Sequence, residues 1–120
     1  MELCDAFDCL STEVSARVSA GMIQSLSEKP ASYPCVAIVC DGSRLEAHGG
    51  GSDFTGEHNF SLWVLCKFSG DYRESREEMY EMVQALIEIP RFYIDESVEY
   101  GEDVVHGTRC IIARIIGRIA

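Results

Sequence analysis

Six cysteines and three histidines are the residues of this 120-residue chain best suited to nucleophilic or metal chemistry, so their spacing decides first what chemistry is available. Cys35 and Cys40 stand five apart in an apolar run that reads as a strand, and an odd spacing sends their side chains to opposite faces. Cys4 and Cys9, five apart on a helical stretch, diverge around the axis. A metal site assembled from Cys35, Cys40, His48, His58, Cys66, His106 and Cys110 lacks any C-x-x-C or H-x-x-x-H pair. A Cys–His nucleophile built from Cys66 or Cys110 with His58 or His106 has no supporting local motif, and Cys66 falls on a core face. The carboxylates of Asp95, Glu96, Glu99, Glu102 and Asp103 lack the spacing of a calcium loop and read as a solvated acidic edge. Gly49-Gly50-Gly51 is not followed by the lysine and Ser/Thr of a phosphate-binding loop. The expectation is a chain with no catalytic residue, no cofactor and no metal.

Composition narrows the class further. At 47% hydrophobic content the chain can build one core, and a single domain over residues 1–120 is expected. The formal net charge of -10 argues against a protein that grips nucleic acid through its phosphates. No apolar run approaches the ~20 residues that span a bilayer, and Met1-Glu2-Leu3-Cys4-Asp5 is acidic where a secretory leader is basic. A soluble intracellular product with reduced thiols and no membrane partner is the expectation.

The elements follow from periodicity. Leu3, Phe7, Leu10, Val14, Val18, Met22 and Leu26 recur at helical spacing and predict a first helix from Leu3 to Leu26. Cys35 to Cys40 predicts a buried strand, and the polar, glycine-rich stretch from Asp41 to Glu57 a long loop. His58, Phe60, Leu62, Val64, Cys66 and Phe68 alternate as the core face of a second strand. Asp71 caps a second helix with apolar positions Met79, Met82, Val83, Leu86 and Ile87, and Glu74 completes a capping-box pattern. A short strand at Ser97–Tyr100, a two-residue His106-Gly107 hairpin turn and a long terminal strand close the chain. The fold class is α+β: a mainly antiparallel or mixed sheet of about four strands with two helices packed on one face.

Two strands have a second face that a solvated sheet would not need. Trp63, Leu65 and Lys67 oppose the core residues of the second strand. Ile112, Arg114, Ile116 and Arg118 oppose Ile111, Ala113, Ile115, Gly117 and Ile119 on the terminal one. Together they make a mixed apolar and cationic surface on an acidic chain, the composition of a protein interface. These seven residues are the candidate subunit interface or channel wall. In a head-to-tail ring such a face would meet the acidic 95–103 edge of the next subunit. Gly49, Gly50, Gly51, Asp53 and Phe54 are the candidate partner-binding loop.

Tyr33-Pro-Cys-Val-Ala-Ile-Val-Cys-Asp-Gly, the glycine-rich loop, the His58–Phe68 strand, the acidic helix after Asp71, Val98-Glu-Tyr-Gly-Glu and the long final strand together resemble the tail terminator, or minor tail and head-tail joining, proteins of tailed bacteriophages. The resemblance runs from about Tyr33 onward. It implies a structural virion protein at the tail–neck junction, made in the host cytoplasm. Such a protein forms a homo-oligomeric ring, a hexamer in that family, that caps the tail tube and joins it to neck proteins. DNA passes through without specific binding. A head-tail connector or stopper of the neck is the alternative, and a small cytosolic thiol- or metal-dependent enzyme the second. On the ring reading, reversing the charge of Arg114 is expected to weaken assembly and leave the subunit folded.

Overall fold

The computed structural model describes residues 1–45 and 56–120. Helix α1 (Leu3–Arg17) and strand β1 (Gly21–Ile23) lead into β2 (Cys35–Leu45) and β3 (Gly56–Lys67). Helix α2 (Tyr72–Leu86), β4 (Phe92–Val105) and β5 (Thr108–Ile119) complete the chain. One sheet in the order β1-β2-β3-β5-β4 carries every strand of the described residues, antiparallel throughout except for the parallel β1–β2 pair. The α+β class, the mixed sheet and, among the described residues, the two helices agree with expectation; the described residues form five strands rather than about four.

The centre of the sheet is the β3–β5 ladder. It runs without a register break from His58↔Ile119 to Lys67↔Cys110, so both strands keep a strict side-chain period of two. One face of that ladder, with Phe60, Leu62, Val64 and Cys66 opposite Ile111, Ala113, Ile115 and Ile119, is buried. The helices cover it: α1 lies over β2 and β3, and α2 over β3 and β5. Ala6, Leu10 and Val14 of α1 and Met79, Val83 and Leu86 of α2 complete this core.

Three expectations are corrected. Helix α1 ends at Arg17, nine residues before Leu26, because Val18 takes up extended backbone (φ -131°, ψ 144°) and Gly21–Ile23 pairs with Cys35–Ala37. Met22 and Leu26, assigned to the helical stripe, are exposed. Strand pairing here outweighs a periodicity that Gly21 already weakened. The stretch from Asp41 to Glu57 is strand at both ends, pairing through Leu45↔Gly56, and a bulge between Cys40 and Gly42 breaks the alternation that would have revealed it. The candidate loop residues Gly49, Gly50, Gly51, Asp53 and Phe54 lie outside the described residues. Finally, Ser97–Tyr100 is the middle of the 14-residue β4, whose register shifts between Ile94 and Val98.

Local chemistry sets the remaining boundaries. The Asp71 carboxylate accepts from the backbone N–H of Arg73 at 2.9 Å and of Glu74 at 3.2 Å, as the first turn of α2 requires. The returning half of the capping box is supplied by Ser69, whose Oγ accepts from the Asp71 N–H at 3.4 Å. His106 and Gly107 both have positive φ, 47° and 80°, as a type I′ turn demands. Gly117 is the close approach between β5 and β4: a Cβ there would stand 2.7 Å from Phe92 Cζ and 2.8 Å from the Tyr93 carbonyl oxygen. Because one of those neighbours is backbone, Gly117→Ala is expected to destabilise the chain by about 1–3 kcal/mol in urea unfolding. Gly101→Ala, which meets nothing within 4 Å, serves as the matched control.

Candidate functional site: the second face of the sheet

Sequence alternation places Trp63, Leu65, Lys67, Ile112, Arg114, Ile116 and Arg118 on one surface, and the ladder brings them together. Trp63 pairs with Arg114, Leu65 with Ile112, Ser61 with Ile116 and Asn59 with Arg118. Their exposure falls along a gradient rather than forming one patch. Leu65 is fully buried, Trp63, Ile112, Arg114 and Ile116 are half-buried, and Lys67 and Arg118 are exposed.

The buried end is a second, smaller core. Ile23, Cys35, Ala37 and Leu65 pack there with Tyr33, Val39, Trp63, Val105 and Ile112 around them. The chain covers its own sheet at this point. The Tyr33 hydroxyl donates to the Val105 carbonyl at 3.3 Å, and His106 Nε2–H donates to the Leu26 carbonyl at 3.3 Å, tying the segment after β1 to the β4–β5 turn. Leu65 is therefore a core residue, and its assignment to a subunit interface or channel wall is corrected.

The open end is a polar and aromatic trough. Trp63 Nε1–H donates to Ser61 Oγ at 2.9 Å, and the Ser61 hydroxyl donates to Asp41 Oδ1 at 3.3 Å. The other Asp41 oxygen lies 3.9 Å from Arg114, whose second partner is Glu99 at 3.5 Å. The Arg114 guanidinium lies 4.9 Å from the Trp63 ring centroid, and its Nε is buried with no hydrogen-bond acceptor among the described residues, so the indole face is what attracts it. Arg118 continues the row, 3.3 Å from Asp95 and 3.8 Å from Glu57. Three recesses of about 430, 230 and 270 Å³ follow one another along this face, the first two sharing Glu99 and the last two Trp63, Asp103 and Ile112.

These pairings correct the expected complementarity. The acidic edge read as a partner for the next subunit's arginines is strand β4, the in-chain neighbour of β5. Its Asp95 and Glu99 already answer Arg118 and Arg114 within the same subunit. Asp41, Ser61 and Glu57 are the members of the trough that sequence reasoning missed. Asp41 was hidden by the bulge: Val39 and Gly42 pair opposite Ser61 and Asn59 of the trough face, and the inserted residue lets Asp41 turn to that face as well.

Three of the thiols, Cys35, Cys66 and Cys110, are buried, and burial opposes their ionisation. Cys66 is buried among core residues, and burial, with Glu78 and Cys110 adding to it, pushes its thiol up to about 12. Burial likewise raises Cys110, against a Tyr33 hydrogen bond that lowers it, and raises Cys35. His58 sits eight residues along β3 from Cys66, roughly 27 Å at strand rise, too far for a nucleophile–base pair. Among the described residues, no three His, Cys, Asp or Glu side chains come together as a metal cluster.

Three outcomes follow. A native chain treated with a thiol-reactive disulfide at pH 8 should react quickly at the exposed Cys4 and Cys40 and slowly at Cys35, Cys66 and Cys110. A folded-state value raised above the ordinary 9 means the stabilisation is complete below pH 9 and is lost as pH rises toward 12, so the stability measured by urea unfolding should fall across that alkaline window. Arg114→Glu would set a third carboxylate beside Asp41 and Glu99 in a half-buried site. It should cost about 1–3 kcal/mol in the same assay, a loss that comes on top of the expected weakening of assembly. No protein-family model matches the chain, and no curated protein matches it.

Proposed function

We infer that this chain is a structural subunit that assembles through the open trough of its sheet, and that its assembly is the ring of a phage tail terminator. The trough carries the reading. It is a half-buried aromatic and aliphatic surface, Trp63, Ile112 and Ile116, framed by internally paired arginines, and such a surface gains by excluding water against a partner. Because the charges of Arg114 and Arg118 are already balanced, apolar contact rather than ion pairing supplies the contact energy there. The order of elements from Tyr33 onward supplies the family, through its resemblance to tail terminators. A net charge of -10 suits a subunit that DNA passes without being held.

In this reading the partners are other copies of the chain, the tail tube protein and the neck, and assembly itself needs no catalysis. A connector or stopper of the neck would share the ring but bind the portal side. The test is native mass spectrometry of the purified chain, alone and mixed with tail tube protein. A ring-sized mass and capped, length-limited tubes are expected. Ile116→Asp should abolish both while leaving the circular dichroism of the subunit unchanged. A chain that stays monomeric at all concentrations and never caps a tube would sink the terminator reading, and a ring that binds portal-side protein instead would favour the connector.

A further inference from the structure

On the helix-covered face, away from the trough, the structure holds a serine–histidine pair that none of the foregoing uses. His58 is fully buried. Its Nε2 lies 2.9 Å from the Met1 carbonyl oxygen and its Nδ1 lies 2.7 Å from Ser43 Oγ. A carbonyl oxygen can only accept, so Nε2 carries the proton in the neutral ring and Nδ1 is left as a bare lone pair. The Ser43 hydroxyl must then donate to Nδ1. This is the arrangement of an activated nucleophile: hydroxyl on base, base oriented by a third group on its far nitrogen. The orienting carbonyl is itself fixed, since it also accepts the Gly56 N–H at 3.0 Å. Ser43 is an exposed residue and His58 a fully buried one, so the pair is part-buried with the base on its inner side.

An apolar cleft adjoins the pair. Ser43 and His58 are cross-strand partners, and Cys40 and Phe60 are the next pair on the same face, about 7 Å along β3 at strand rise. Cys40 and Phe60 line a cleft of about 270 Å³ with Leu3, Cys4, Phe7 and Asp8 of α1. Its walls are almost wholly apolar and its volume suits a short acyl chain.

We propose that Ser43 is an acyl-accepting nucleophile with His58 as its general base, and that the cleft beside it seats the acyl chain of a short ester or thioester. Ser43 Oγ attacks the carbonyl carbon and forms the new C–O bond while its proton passes to His58 Nδ1. The resulting imidazolium keeps its Nε2–H on the Met1 carbonyl. Collapse of the tetrahedral intermediate breaks the bond to the leaving alkoxide or thiolate, which takes the proton from Nδ1. Water releases the acyl group from Ser43 by the same route, so the balance needs no co-reactant beyond water.

The test treats the full chain with an alkyl fluorophosphonate and with p-nitrophenyl butyrate, and locates adducts by peptide mass spectrometry. An adduct on Ser43 is expected. It should be absent from Ser43→Ala and form at least tenfold more slowly in His58→Gln, whose amide can still donate to the Met1 carbonyl but is no base. Cys40→Trp fills the cleft from an exposed position, one same-face pair along the ladder from Ser43 and His58. It should slow butyrate release at least tenfold while leaving Ser43 open to the smallest phosphonates, a split that a purely structural role would not produce, and it carries the comparison if His58→Gln fails to fold. No adduct on Ser43, adducts on Cys4 or Cys40 alone, or equal rates in the wild type and the variants would overturn the assignment.

Discussion

The unbroken pairing of β3 with β5 is the constraint on which the rest of the molecule depends. Ten consecutive residue pairs with a side-chain period of two deliver one continuous apolar face to the helices and, on the reverse, the row Asn59, Ser61, Trp63, Leu65 opposite Arg118, Ile116, Arg114, Ile112. A slip of one residue would exchange the faces and bury Arg114 and Arg118 beneath α2, at the cost of unpaired buried charge. The register is thus held by both faces at once. The same ladder sets what is available for function, because every residue of the trough is in place only while that register is kept.

The two ends of the reverse face meet different needs. At one end the chain closes over itself, with Tyr33 and His106 pinning the segment after β1 to the hairpin and Leu65 fully enclosed. At the other end Trp63, Arg114 and Ile116 stay half open, and the charge of each arginine is paired within the subunit by carboxylates from β2, β3 and β4. A surface so balanced has little long-range pull and presents its apolar groups at short range. That combination suits subunit assembly better than capture of a charged ligand.

What could be read from the sequence was whatever a strict period expresses. The core and reverse faces of β3 and β5, the cap of α2 at Asp71 and the His106-Gly107 turn all stood in the residue pattern. The limits of α1 did not, because Val18, Met22 and Leu26 continue a helical spacing that pairing of Gly21–Ile23 with β2 overrides. The extension of β2 past Cys40 was lost to a one-residue bulge, and with it the place of Asp41 in the trough. Long-range pairing also decided the partners of Arg114 and Arg118: nothing local in Asp95 to Asp103 says that this strand lies beside β5 of its own chain rather than that of a neighbour. The Ser43–His58 pair was equally hidden, since its two residues are joined by register across an interval that carries no motif.

The chain contains a single tryptophan, and it stands in the trough. Its fluorescence therefore reads directly whether that face is where subunits meet. The decisive measurement follows Trp63 emission and its quenching by acrylamide across a protein concentration series, with mass measured in parallel. Assembly through the trough predicts that emission moves to shorter wavelength and quenching falls over the same concentrations at which the mass rises to that of the ring. A mass that rises while Trp63 stays as quenchable as in the monomer would contradict the account, and so would a mass that never rises.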